Sequence, residues 1–347
     1  MKKYFSSLLF VCAYCMCNAQ ETIAITHDGI DRSYILYAPS GEGPFPLVLC
    51  LHGYTNNADF QMGYSGFNDI AEAENFIVIY PQGEPDDLGI DHWNAWLAQD
   101  DVNDVDFIST LIDEAILNHD ADPTRVYSCG FSNGGIMSYT LACELNDRIA
   151  AVASVAGTMN PEVMASCVLE NQTPVMHVHG DLDLVVPING SLLGDITDFG
   201  ELISVEETMS FWNDGANCND GQVSDIENTS FIDLCTATKT VWSCTGGIEN
   251  WYYEVNGGGH TWPGAFPLII VGSTNQDFDA SEEIWAFFSQ YQLDTASNLP
   301  QLQHQKSRIP IQFCLLNGQQ VQPKEISSKS FYIVLWSDGS RSLELRE

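Results

Sequence analysis

The chain has 347 residues, 45% of them hydrophobic, which suits one large folded domain with a small attachment and excludes a disordered polymer. Its formal charge is -35 at pH 7, from 47 acidic and 12 basic side chains. Acidity of that strength repels phosphate backbones and anionic lipid, so nucleic acid and anionic membranes are poor partners.

Lys2 and Lys3 precede a short apolar run from Ser6 to Cys17, and Cys17-Asn18-Ala19 ends on a small residue before Gln20-Glu21. Residues 1–19 therefore read as a cleaved secretory signal, because the run is too short for a membrane anchor. The cysteines at 12, 15 and 17 lack the Leu-x-(Gly/Ala)-Cys pattern of a lipoprotein, and no later segment reads as a membrane span. Eight cysteines follow, at 50, 129, 143, 167, 218, 235, 244 and 314. In an exported chain those that meet are oxidised. The expected staples are Cys143–Cys167 and one pair from Cys218, Cys235 and Cys244, with Cys218–Cys244 preferred, although sequence alone does not fix connectivity. Cys50 and Cys129 sit in apolar strand patterns and suit buried thiols.

Thr22–Thr26 and Ser33–Tyr37 flank His27-Asp28-Gly29 and predict an antiparallel hairpin. Short continuous apolar runs follow at 46–51, 76–80, 125–129, 150–155, 174–179 and 251–255. Such runs mark strands covered on both faces. Helical patterns alternate with them at 102–118, 134–145, 202–212 and 280–291. Asp100, Asp101, Asp104 and Asp106 gather at the start of the first of these helices, where acids suit the helix terminus better than a cation. Strand–helix alternation after an opening hairpin gives an α/β fold with a mostly parallel, doubly covered sheet over residues 20–293. Between Gln20 and Asn298 the basic residues are Arg32, Arg125, Arg148 and Lys239, whereas six more lie beyond Asn298. That shift marks a boundary. Residues 294–308 read as a polar linker, and 309–347 as a small all-β appendage with strands near 311–316 and 331–336 and a turn at 337–340.

One stretch in this pattern carries chemistry. Gly130-Phe131-Ser132-Asn133-Gly134 follows a strand and opens a helix. Gly-x-Ser-x-Gly in that setting places a serine on a sharp turn, with flanking glycines because side chains there would collide. Ser132 is thus the candidate nucleophile, and it needs a base and an acid from later strand ends, in the order Ser, Asp/Glu, His. His260, on the Gly257-Gly258-Gly259 loop, is the candidate base. Asp181 and Asp183, just past the 174–179 strand, both qualify as its acid. His52, His177 and His179 flank or lie in strands and suit the core. The oxyanion hole requires two backbone N–H groups. Asn133, after the nucleophile, offers one; Tyr54, with Thr55 behind it, offers the other from the loop after Leu51-His52-Gly53. Trp93 and Trp262 are candidate walls of the substrate cleft, with Thr55 as a further contact, while Trp96 suits core packing equally well.

The pieces LHGYTNN (51–57), YPQG (80–83), WNAW (93–96), GFSNGG (130–135), ACELNDRIAAVASVAG (142–157), HGDLDLVVP (179–187) and GGGHTWPG (257–264) appear in this order. Together they resemble the polyhydroxybutyrate depolymerase and feruloyl/acetyl-xylan esterase group, carbohydrate esterase family one, of the α/β-hydrolase superfamily. The resemblance implies a Ser132-Asp183-His260 triad, choosing Asp183 over Asp181, and supports the Cys143–Cys167 pairing. It implies ester hydrolysis through an acyl-enzyme with no metal or organic cofactor. The implied substrate is a feruloyl or acetyl ester on plant polysaccharide, with a polyhydroxybutyrate polyester as the alternative. A serine peptidase, or a non-catalytic carbohydrate-binding surface protein, are the alternatives of other classes. The tail, with Leu316-Asn317-Gly318-Gln319-Gln320-Val321 and Phe331-Tyr332-Ile333-Val334, resembles a type IX secretion sorting domain. That implies the secretion machinery as a partner and an extracellular or cell-surface location reached through the periplasm.

Overall fold

The computed structural model describes residues 20–95, 102–169, 171–192 and 201–294, and beyond them the strand residues 310–315, 320–321, 331–336 and 341–345. The expected signal at 1–19, linker residues 295–308, the 337–340 turn and Trp96 lie outside the described residues. The chain divides into two units, one ending at Leu293 and the other running from Asp294 to Glu347.

The first unit opens with strands β1 (Gln20–His27), β2 (Ile30–Tyr37) and β3 (Phe45–Leu51), then helices α1 (Ala58–Ser65) and α2 (Phe67–Glu74). Strand β4 (Ile77–Pro81) leads through the short pair β5 (Glu84–Pro85) and β6 (Asp91–His92) to α3 (Asp104–Asn118). There follow β7 (Ala121–Phe131), α4 (Asn133–Glu144), β8 (Ala151–Val155), α5 (Pro161–Ser166) and β9 (Val175–Gly180). The pair β10 (Ser191–Leu192) and β11 (Glu201–Leu202) precedes α6 (Val205–Gly215), β12 (Gln222–Asp225), β13 (Thr236–Ser243), β14 (Glu249–Asn256) and α7 (Ala280–Phe288).

Ten strands form one sheet in the order β1-β2-β4-β3-β7-β8-β9-β14-β13-β12. The centre, from β4 to β14, is parallel, and the hairpins at both edges are antiparallel. Period-two alternation divides each central strand between two cores. Leu47, Leu49 and Leu51 face the layer holding Phe107 and Leu111 of α3, Met137 of α4 and Trp212 of α6. Val48 and Cys50 face the layer holding Phe67 of α2 and Ile284, Phe287 and Phe288 of α7. The sheet is therefore covered on both sides, which is why its strands read as unbroken apolar runs.

Several elements have no counterpart in the sequence reading. Helices α1 and α2 are eight residues each, shorter than the helical patterns read from the sequence. Strand β12, at the sheet edge, is exposed at all four positions, and β13 beside it is mostly half-buried and carries Thr, Ser and Lys along its length; strands that bury so little need no apolar run. Of the acids expected at the start of α3, Asp100 and Asp101 lie outside the described residues. Asp104 is buried and pairs with Arg32 Nη2 at 2.8 Å, while Asn103 caps the helix by accepting from the Asp106 N–H at 3.1 Å. Two disulfides join Cys143 to Cys167 and Cys218 to Cys244, as expected, and Cys50 and Cys129 are buried free thiols.

By itself, the second unit holds a four-stranded antiparallel sheet ordered β16 (Gln320–Val321), β15 (Pro310–Leu315), β17 (Phe331–Trp336), β18 (Arg341–Leu345).

Candidate active site

Ser132 stands between β7 and α4 at φ 54°, ψ -117°, a left-handed conformation in which a non-glycine residue is strained by roughly 1–3 kcal/mol. Its surroundings hold it there. The Ser132 N–H donates to Val155 O at 2.8 Å, and its carbonyl accepts from Gly135 and Ile136 at 2.8 and 3.0 Å. The fencing glycines meet across the turn: a Cβ on Gly130 would lie 2.4 Å from the carbonyl carbon of Gly134. A Cβ on Gly134 would lie 2.4 Å from Leu51 O, the end of β3. Glycine is thus required by backbone-to-backbone approach at both positions.

Asp183 and His260 reach each other from different strand ends. His260 Nδ1 lies 2.7 Å from Asp183 Oδ2. The other carboxylate oxygen accepts from the N–H groups of Val185 and Val186, both at 2.8 Å, so the buried carboxylate is fixed on both oxygens. Asp181, the other acid the residues left open, instead accepts from the Gly257 N–H at 2.6 Å. It ties down the glycine loop and does not meet the imidazole. His260 N–H donates to Val271 O at 2.8 Å, and its ring packs on Phe131 with centroids 4.9 Å apart. Phe131 immediately precedes Ser132, so the histidine lies against the residue that leads into the serine turn.

The loop after β3 is held by a chain of contacts through several of the quoted motifs. His52 Nε2 accepts from the Gly83 N–H at 2.9 Å, so its Nδ1 carries the proton and donates to Gly53 O at 2.8 Å. Burial pushes the imidazole down to about 4, which keeps it neutral as that pattern requires. Trp93 Nε1 donates to His52 O at 2.9 Å. The Asn133 side chain then accepts from Trp93 N at 2.7 Å and donates to Trp93 O at 3.1 Å. Asn133 opens α4, where a backbone N–H has no preceding helical carbonyl. The Thr55 N–H is engaged with Asp91 O at 3.1 Å.

The substrate walls expected from the sequence need correction. Trp93 is 0% exposed and Trp262 1% exposed. Trp262 Nε1 donates to Ser281 Oγ at 3.0 Å, and its N–H to the Tyr64 hydroxyl at 3.1 Å. Both indoles are structural pins with no face to offer a ligand. Thr55 is exposed, at φ 69°. The side chains that do reach solvent near His260 went unnoticed in the sequence. Leu182 and Leu184 flank Asp183 at 61% and 88% exposure, and Ile269 and Ile270 precede Val271 at 88% and 96%. Half-exposed Phe266 packs on Tyr64 at 5.0 Å, and Tyr64 on Phe131 at 5.5 Å. The available signal was apolar residues inside turn-rich segments, Leu-Asp-Leu-Val-Val and Leu-Ile-Ile-Val, without a strand partner.

Behind the acid lies a buried polar chain. The Tyr139 hydroxyl is 2.8 Å from His177 Nδ1, His177 Nε2 is 3.0 Å from His179 Nδ1, and His179 Nε2 is 2.8 Å from Val186 O. A carbonyl only accepts, so each proton is assigned: Tyr139 donates to His177, His177 to His179, and His179 to Val186. Burial lowers both imidazoles from their ordinary range. They are satisfied core histidines that brace the 183–186 turn.

A buried carboxylate–imidazole pair and a serine on a strained strand-to-helix turn, at the carboxyl ends of parallel strands, define the serine hydrolases of the α/β-hydrolase fold. Known proteins agree. The family described as Phospholipase/Carboxylesterase matches residues 40–193. The chain is 30% identical over 269 residues to the putative esterase NocK of Nocardia uniformis subsp. tsuyamanensis, covering 73% of this chain and 78% of that protein. It is 27% identical to the bifunctional acetylxylan esterase/xylanase XynS20E of Neocallimastix patriciarum over 77% of this chain and 34% of that one. It is 29% identical to feruloyl esterase B of Piromyces equi over 66% of this chain and 42% of that one. The chain thus spans well under half the length of the latter two relatives. Among solved structures, an acetyl xylan esterase from Aspergillus awamori shares the fold, with a TM-score of 0.54 and 16% identity over 78% of this chain and 99% of that one. The chain belongs to the phospholipase/carboxylesterase family of the α/β-hydrolase superfamily, and it is an esterase of the serine hydrolase type.

Proposed function

We propose that this protein is an exported esterase that cleaves feruloyl or acetyl esters on plant polysaccharide through a Ser132-Asp183-His260 triad. The observation that carries the reading is the 2.7 Å His260–Asp183 contact beside the strained Ser132 turn. In this scheme His260 takes the Ser132 hydroxyl proton as Oγ bonds to the ester carbonyl carbon. Asp183 holds the imidazole in its tautomer and stabilises the imidazolium. The Asn133 and Tyr54 N–H groups receive the oxyanion. The carbon–oxygen bond to the alcohol then breaks, His260 returns the proton to the leaving oxygen, and water repeats the sequence to free the acid.

Relatives named for acetylxylan and feruloyl esters support the substrate class. A second reading, cleavage of a polyhydroxyalkanoate, has its own support. Leu182, Leu184, Ile269 and Ile270 are exposed on the two loops that contact His260 through Asp183 and Val271, and the chain is 32% identical over 126 residues to poly(3-hydroxyalkanoate) depolymerase C of Paucimonas lemoignei. Export is supported by the signal-like start and by two disulfides, which form in oxidising compartments. The tail then serves as an export address for the type IX machinery and takes no part in catalysis. Among the described residues no helix is long and apolar enough to cross a membrane.

The test is hydrolysis of p-nitrophenyl acetate, methyl ferulate and a poly(3-hydroxybutyrate) suspension by the full chain and by Ser132→Ala. Preference for methyl ferulate or the acetyl ester supports the first reading, and preference for the polymer the second. Equal activity in folded Ser132→Ala and wild type sinks the triad.

A further inference from the structure

Outside this site, a buried imidazole nitrogen faces two carboxylates without a hydrogen bond. His27 ends β1 and is 8% exposed, and its Nε2 makes no hydrogen bond and is shut off from solvent. The other ring nitrogen, Nδ1, is 3.3 Å from Thr110 Oγ1 of α3, and the ring leans on Phe107 with centroids 5.7 Å apart. Its orientation is therefore fixed from behind, with Nε2 turned towards two carboxylates. Asp106 Oδ2 lies 3.4 Å away and Asp28 Oδ2 3.7 Å away. The three ligand-type atoms all fall within 4.8 Å of one another.

Each carboxylate has a local reason for its place. Asp28 and Gly29, at φ 50° and 81°, form the two-residue turn joining β1 to β2, where Asp-Gly is favoured. Asp106 lies in the first turn of α3, where an acid suits the helix terminus. Neither rule accounts for a buried imidazole nitrogen aimed between them. A ring nitrogen and two carboxylate oxygens gathered this closely are bridged either by a proton or by a metal cation, and the set offers one nitrogen and two oxygen ligands to the latter.

We propose that His27, Asp28 and Asp106 form a binding site for a divalent transition metal, with zinc as the best match. Zinc takes imidazole nitrogen and carboxylate oxygen at about 2.0–2.1 Å in tetrahedral geometry, which sets ligand atoms about 3.3–3.4 Å apart. The His27–Asp106 separation already meets that edge, and Asp28, 3.7 Å from the ring nitrogen and 69% exposed at its side chain, has room to move in to it. Water would complete the shell. Thr110 plays the outer role that a metal-bound histidine requires, fixing the ring through its other nitrogen. The ion would staple the edge hairpin β1–β2 to α3, a structural role separate from Ser132, Asp183 and His260.

The test uses untagged full-length protein, stripped with chelator and titrated with zinc chloride in excess magnesium, by calorimetry and by thermal melting. One tight equivalent is expected, with Tm raised by roughly 5–10 °C at a free zinc concentration about a hundred times Kd. Asp106→Asn, at an exposed position, should abolish both effects while leaving the zinc-free Tm near wild type. His27→Gln should do the same where it folds, and Thr110→Val should weaken binding about tenfold or more. Cobalt in place of zinc should give visible absorption in wild type and none in Asp106→Asn. Absence of saturable binding in wild type overturns the proposal, and so does binding or a Tm rise that survives Asp106→Asn unchanged.

Discussion

The turn from Gly130 to Gly135 and the loops bearing Leu184 and Ile270 lie around the same histidine, yet they are built on opposite terms. In the first, backbone meets backbone: an added Cβ at Gly130 or Gly134 would stand 2.4 Å from main-chain atoms, and Asn133 is clamped by two bonds to Trp93. In the second, Leu184 and Ile270 are 88% and 96% exposed and pack against little. The difference separates two requirements of an esterase. Atoms that stabilise developing charge must be fixed to fractions of an ångström, which only a packed, hydrogen-bonded setting provides. Surfaces that select an acyl group can vary without cost to the core.

Breaking the rigid side should have the largest effects. Asp183→Asn keeps the shape but removes the charge that orients His260, and turnover should fall on the order of 10⁴-fold at unchanged fold, measured with methyl ferulate. Gly134→Ala has no room for its methyl between α4 and the end of β3, so it should cost more than about 3 kcal/mol in urea unfolding or fail to yield soluble protein. Gly63→Ala sharpens the contrast, since nothing lies within 4 Å of its Cβ inside α1. That change should stabilise by about 0.5–1 kcal/mol.

The pins beneath the rigid side predict a pH dependence. His52 is held neutral in the fold, near 4 against an ordinary 6.5, and burial lowers His177 and His179 in the same direction. Between those values the unfolded chain binds protons that the folded chain refuses. Stability is therefore complete above about pH 6.5 and declines as pH falls towards 4, by about 1.4 kcal/mol per unit for each such histidine in its window. Urea midpoints at pH 7 and pH 5 measure this, and equal midpoints would contradict the neutral, buried assignment. On the exposed side the effect should be confined to one class of substrate. Leu184→Ser with Ile270→Ser should raise KM for an apolar acyl ester by about tenfold while leaving p-nitrophenyl acetate turnover and Tm nearly unchanged. A matching loss on both substrates would remove these residues from substrate selection.

Much of the architecture was legible along the chain. The central strands are buried on both faces, so they had to be unbroken apolar runs, and α3, α4, α6 and α7 each bury one stripe against them. Ser132 was legible because its turn excludes side chains on both flanks, a constraint that acts within five residues. Local chemistry of that kind is written in order. Asp181 and Asp183 could not be separated from the residues alone, because both follow the same strand; the resemblance chose Asp183, and the fold sends the one to Gly257 and the other to His260. Trp93 and Trp262 looked like substrate walls because aromatic side chains near a site suit either role. Only packing decides which face water, and here both are pinned inside while leucine and isoleucine stand outside. The gathering of His27, Asp28 and Asp106 was equally hidden, since its members come from a turn and a helix more than seventy residues apart. Sequence determines what a segment does with its neighbours along the chain; which side chains meet across it is decided by the closing of the sheet and its two helical layers.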